Sequence, residues 1–331
     1  MSNEKHFFDL MEQDILNADI SETEKNKLMK NFLHLKEQKI NLMITGATGC
    51  GKSSTINALF DAEVAKVGIG VDPETMEITK YEWNNLILWD SPGLGDGKEA
   101  DNRHAKNIIK KLNEKDKNGN LLIDLVLVIL DGSTRDLGTS YELINQVIIP
   151  NLGVNKEKRI LVAINQADIA MKTGRHWDYE KNKPDETLTR FLEEKVASVK
   201  KRIKEGTGID IDPIYYSAGS KEEGCEQNKP YNLAKLLYYI VQYTPTEKRL
   251  AYVENINSDA EMWQDNDELQ DYKAGIMDDF GSAIVTGIGN GVMIGQELGG
   301  AIFGAPGKVI CGVIGGVIGA VGGLLKGILG W

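Results

Sequence analysis

The chain has 331 residues, enough for one ordinary domain with a large core plus a substantial second region. Its formal charge of −11 argues against general affinity for nucleic acid, whose phosphates it would repel, so no nucleic-acid partner is expected. Three scattered cysteines, Cys50, Cys225 and Cys311, are too few for a disulfide framework or a metal site, and MSNEKHFFDLMEQD lacks the apolar run of a secretory leader, so a reducing, cytoplasmic setting is expected.

In chain order, residues 1–38 read as an N-terminal helical segment of two helices. The second is opened by Ser21-Glu22-Thr23-Glu24, where a serine and a glutamate three apart can cap each other's backbone donors. Leu28, Phe32 and Leu35 then line one face. From 39 to 245 short apolar runs (INLMIT, NLILWD, LIDLVLVIL, RILVAIN and DPIYYS) alternate with helical stretches. That alternation predicts an α/β fold, a mostly parallel sheet with helices on both faces.

Within it, NLMITGATGCGKSST is a strand, then Gly46-Ala47-Thr48-Gly49-Cys50-Gly51-Lys52-Ser53, then an opening helix that starts through Ser54. Context and spacing match a P-loop. Glycines let successive backbone N–H groups close around phosphates, and the helix N-terminus adds its dipole. Lys52 is placed to reach the β- and γ-phosphates and Ser53 to ligate Mg²⁺. Cys50 reads as a small filler rather than a redox switch.

A P-loop alone does not choose the base. Asn165-Gln166-Ala167-Asp168 ends the strand RILVAIN and looks like the NKxD element of GTPases with glutamine for lysine. A carboxylate at Asp168 accepts both the N1 and N2 protons of guanine, a donor pair that adenine does not present. Asn165 would tie this loop to the P-loop. About fifty residues later Ser217-Ala218-Gly219 stands where GTPases carry SAK or SAG, whose alanine N–H binds guanine O6.

With these motifs in order over roughly residues 25–245, the chain resembles P-loop GTPases of the Era/TrmE-related branch, the 50S ribosome-binding GTPases. The likeness is nearer to bacterial YfjP/YeeP-type GTPases and more distant to the immunity-related GTPases of vertebrates. The resemblance implies GTP and GDP as ligands, Mg²⁺ as cofactor, and hydrolysis of GTP. It also implies further site residues. Thr75 matches the switch threonine that closes on Mg²⁺ and the γ-phosphate, with Thr79 a poorer candidate. Asp90-Ser91-Pro92-Gly93 matches DxxG, with Asp90 holding the Mg²⁺ shell and the Gly93 N–H meeting the γ-phosphate. Lys52, Thr75 and Gly93 are thus the expected catalytic set. Two departures matter: Gln166 lacks the stem and charge that lysine lays over guanine, and Gly49 replaces the asparagine of potassium-activated members.

Leu94 follows DxxG where many GTPases keep the glutamine that orients the attacking water. Leucine cannot hold that water, so slow turnover by a lone monomer and switching tied to self-association are expected. His6, His34, His104 and His176 form no cluster and receive no role, and the stretch 171–184 reads as a solvated loop before a partner site.

Residues 246–280, charged and without a turn cluster, read as a helical connector. From 281 to 331 the material changes: 17 of the chain's 35 glycines fall there, and only Glu297, Lys308 and Lys326 are charged. Gly287, Gly291, Gly295 and Gly299 recur every four residues, as do Gly315, Gly319, Gly323 and Gly327, making bare stripes for close helix packing. A glycine-zipper helical hairpin that self-associates or meets a membrane is expected, so the protein would sit peripherally on or inserted in a membrane through 281–331. The alternative is a glycine-rich hairpin packed on the soluble part. At the level of function the competing reading is a membrane-acting toxin or pore-forming protein whose hairpin insertion is controlled by nucleotide. A ribosome-assembly role would need a basic appendage that the chain does not display.

Overall fold

A computed structural model of the chain describes residues 7–60, 78–93, 95, 97–171, 176–219 and 229–293. Helices α1 (Phe7–Asn17) and α2 (Glu22–Lys36) lead into strand β1 (Ile40–Gly46), then α3 (Lys52–Leu59), β2 (Thr79–Trp83), β3 (Leu86–Asp90), α4 (Lys98–Asn113) and β4 (Leu125–Asp131). A short α5 (Gly138–Glu142) continues through a π-turn to residue 148. There follow β5 (Ile160–Asn165), the small pair β6 (Trp177–Asp178) and β7 (Lys183–Pro184), α6 (Glu186–Thr207), β8 (Ile214–Tyr215), α7 (Leu233–Tyr243) and α8 (Tyr272–Met293). The Ser21–Glu24 pair caps α2 reciprocally, and Leu28, Phe32 and Leu35 are buried.

The main sheet runs β2-β3-β1-β4-β5-β8. Every neighbouring pair is parallel except β2, which joins β3 antiparallel as the edge. Strands β1 and β5 are buried throughout and β4 up to its last residue, as their unbroken apolar runs require of strands covered on both faces. Alternate side chains feed two cores. Leu42, Ile44, Leu127 and Ala163 pack toward α1, α2, α7 and α8. Met43, Val126, Val128 and Val162 pack toward α4, the α5 arm and α6.

Where charge patterning suggests one helix over 246–280, the structure has short 3₁₀ turns at Thr246–Tyr252 and Ala260–Trp263, loops, and only then α8. Local capping competes with helix here: the Asn257 and Asp259 side chains accept backbone N–H groups of Asp259 and Glu261. The segment is also part of the core. Leu250, Tyr252 and Trp263 are at most 1 % exposed, Phe60 stacks on Tyr252 at 6.3 Å, and Asn257 N–H bonds Leu59 O just past the P-loop helix.

Helix α8 buries Tyr272, Ile276, Phe280, Ile284 and Ile288, one stripe at four-residue spacing, against α2, α7 and the turn at 246–252. It runs without a break through residue 281. Gly287 lets α8 approach α2: a β-carbon there would stand 2.7 Å from Leu35 Cδ1, and Asn31 Nδ2 donates to Ile288 O at 3.1 Å. The start of the first glycine repeat is therefore packed on the protein's own α2. The rest of both repeats, from residue 294, lies outside the described residues.

The stretch 171–184 forms, over its described part, the β6–β7 hairpin rather than an open loop. Trp177 is buried edge-on against Tyr231 at 5.3 Å, and Asn182 Nδ2 bonds Lys229 O, Pro230 O and Asp265.

Candidate functional site

The motif residues gather at the carboxyl ends of β1, β3, β5 and β8, the end where open parallel sheets form their ligand crevice. The turn after β1 carries Gly46, Ala47, Thr48, Gly49, Cys50 and Gly51, and α3 begins at Lys52 with Ser53 and Ser54 exposed in its first turn. Gly51 has φ +89°, and a β-carbon there would collide with the Asn165 side chain, so only glycine fits. Lys52 Nζ lies 3.4 Å from both Gly46 O and Ala47 O, over the mouth of the turn. The Cys50 thiol is fully buried and burial pushes it up to about 11, so it stays protonated and packs as a small apolar group.

At the end of β3, Ser91 is pinned to β1 through N–H to Ile44 O at 3.0 Å and Oγ to Thr45 Oγ1 at 2.7 Å. Asp90 Oδ1 is buried with no hydrogen-bond partner among the described residues, and burial raises its carboxyl to about 6 against the pull of Lys52. A carboxylate oxygen in that state, near enough to Lys52 at the start of α3 to feel its charge, suits a hard divalent cation such as Mg²⁺. Gly93 presses on the P-loop: a β-carbon would stand 2.7 Å from Thr48 Cα. Helix α4 holds this loop at two points, with His104 Nδ1 donating to Gly93 O at 3.0 Å and Asp101 Oδ1 accepting Gly95 N–H at 2.8 Å. Thr75 and Leu94 lie outside the described residues.

The loops after β5 and β8 are cross-linked to the P-loop. Asn165, 2 % exposed, donates to Cys50 O at 3.0 Å and accepts Ala218 N–H at 2.9 Å. Gln166, at φ +61°, donates to Gly49 O at 3.0 Å, so the glutamine reaches the P-loop. Ser217 Oγ donates to Asp168 Oδ1 at 2.7 Å, and Gly219 N–H donates to Ser217 Oγ at 3.3 Å. Beneath them Thr55 of α3 meets Tyr216 OH at 2.6 Å in the core. Lys195 of α6 grips Gly132 O and Thr134 O, and Gly132 N–H in turn bonds Asn165 O at 2.8 Å.

Residues 41–166, with the P-loop, DSPG and Asn165, match the family described as 50S ribosome-binding GTPase. Over this part the chain matches a GTPase domain of that family. Among curated relatives, YkfA of Escherichia coli (strain K12) is 28% identical over 161 residues, 47% of this chain and 52% of that protein. YfjP of the same organism is 28% identical over 152 residues, 45% of this chain and 48% of that protein. The chain thus spans about half the length of these curated relatives. A solved structure of Toc33 from Arabidopsis thaliana with Mg²⁺ and GMPPNP covers 66% of this chain and 87% of its own, at 15% identity and a TM-score of 0.39.

Three contributors lay outside the motifs. His104 and Asp101 on α4 carry no motif, and their only sequence signal is the three-residue spacing that puts both on one helix face. Lys195 reads in the sequence as one of many helix lysines.

Proposed function

We propose that the chain binds GTP and GDP in preference to ATP and hydrolyses GTP to GDP and phosphate, working as a switch. The observation that carries this reading is Asn165, a buried amide bonded at once to the P-loop carbonyl of Cys50 and to the N–H of Ala218 beside Asp168. It makes a phosphate-cradling loop and two guanine-reading loops one unit. In the proposal, backbone N–H groups from Gly46 through Ser54 surround the phosphates and Lys52 neutralises the β- and γ-oxygens. Asp168 takes the guanine N1 and N2 protons, the Ala218 N–H passes from Asn165 Oδ1 to guanine O6 on binding, and Gln166, Ser217 and Gly219 hold those groups in place. Ser53, Asp90 and Thr75 would hold Mg²⁺, which when bound offsets charge on the phosphates. The Gly93 N–H would meet the γ-phosphate. Water adds to the γ-phosphorus, the bond from that phosphorus to the β–γ bridging oxygen breaks, and the proton leaves with phosphate.

A finer part rests on Leu94, which offers the water no partner: turnover is slow in the monomer and rises when chains assemble or gather on a membrane through residues 281–331. Among the described residues no helix is long and apolar enough to cross a membrane. Titrating the full chain with labelled GDP, displacing it with GTP or ATP, and then following phosphate release tests the reading. GTP should displace at least about a hundredfold better than ATP, and release per protomer should climb with protein concentration or anionic vesicles. Equal displacement by ATP ends the guanine assignment, and a constant rate per protomer ends the assembly link.

A further inference from the structure

The loop that follows β3 is gripped from α4 on both sides of position 94. His104, in the second turn, is 1 % exposed, and its Nδ1–H is spent on the Gly93 carbonyl at 3.0 Å. Asp101, three residues earlier on the same face, accepts the Gly95 N–H at 2.8 Å. Gly93 itself abuts Thr48, so any group entering between this loop and the P-loop must work against a backbone fixed from behind. A buried imidazole with a single-ring donor aimed at one carbonyl sets that peptide's orientation far more tightly than a solvated loop would. The residue between the two grips, leucine in this chain, carries no polar atom of its own to the same task.

We propose that Asp101 and His104 are positioning residues that hold Gly93 and Gly95 in register with the γ-phosphate, so that α4 and this loop respond together to the difference between GTP and GDP. The inference rests on the GTPase reading above, and it assigns to two helix side chains the discrimination of the third phosphate. GDP, which does not reach Gly93, should be indifferent to the clip. His104 bears the larger share because its bond is buried, whereas the Gly95–Asp101 bond faces solvent.

The test compares the full chain with His104→Phe, which keeps ring volume without a donor, His104→Asn, which keeps a donor, Asp101→Ala and Asp101→Asn. Affinities for GDP and for a non-hydrolysable GTP analogue are measured with Mg²⁺, alongside thermal melts. His104→Phe should weaken the analogue about tenfold and leave GDP within about twofold. Asp101→Ala should show a few-fold effect in the same direction, and both asparagine variants should recover part of the loss. If analogue and GDP affinities fall together, or neither moves while the variants melt normally, His104 is packing alone and the proposal fails. If phenylalanine at 104 prevents folding, the asparagine and Asp101 variants decide on the same ratio. Wild-type protein that binds neither nucleotide would overturn the GTPase reading itself, a result distinct from an unchanged ratio.

Discussion

The two ends of the candidate site are built differently. At the base-facing end the polar groups are bonded to one another: Asn165 to Cys50 and Ala218, Gln166 to Gly49, Ser217 to Asp168. At the phosphate-facing end, among the described residues, Asp90 Oδ1 is buried without a hydrogen-bond partner and Lys52 Nζ makes two long contacts of 3.4 Å. The difference teaches where folding ends and binding begins. The base end is set by the fold, so changes there should cost stability as well as affinity. The phosphate end holds charge that costs stability until a cationic or anionic ligand matches it, so changes there should cost affinity alone.

The largest expected effect breaks the phosphate end. Lys52→Ala should weaken GDP and GTP at least about a hundredfold while the melting temperature stays within about two degrees, read by fluorescence titration and thermal melts. Asn165→Ala tests the other end. It strands the Cys50 carbonyl and the Ala218 N–H, and it should cost about 2 kcal/mol of ligand-free stability as well as guanine affinity, measured by urea unfolding. Stability unchanged in Asn165→Ala would erase the contrast between the ends. Asp90→Asn should do the reverse in the ligand-free protein, raising stability by about 1 kcal/mol through removal of a buried unpaired charge, while the Mg²⁺ dependence of nucleotide affinity falls. Ser217→Ala is the smallest: Asp168 loses one restraint, and GDP affinity should drop about threefold.

Much of this architecture was legible before any coordinates. The P-loop and the strand ends at Asp90, Asn165 and Ser217 announce themselves because glycine spacing and apolar runs are local signals, and the capping box at Ser21 is local too. The antiparallel edge strand β2 was harder to see, since TKYEW is mostly exposed and only Tyr81 and Trp83 make its apolar face. The Lys195 grip and the stacking of Tyr252 on Phe60 at the end of the P-loop helix depend on contacts between distant segments. No window of sequence contains them. The glycines of α8 illustrate the same limit: a four-residue repeat suggests partner helices or lipid, whereas at Gly287 the neighbour is Leu35 of this chain.

The most direct test of the central claim exchanges the base. In the proposed reading Asp168 offers a carboxylate to two guanine donors, so Asp168→Asn replaces an acceptor by a group that can donate to the C2 oxygen of xanthine. Displacement of labelled GDP by GDP, XDP and ATP, in wild type and in Asp168→Asn, reads the outcome. The account predicts that wild type prefers GDP to both competitors, and that the variant loses about a hundredfold for GDP while gaining for XDP. A variant whose GDP-to-XDP ratio equals that of the wild type would contradict the assignment of Asp168, and with it the reading of this chain as a guanine-specific switch.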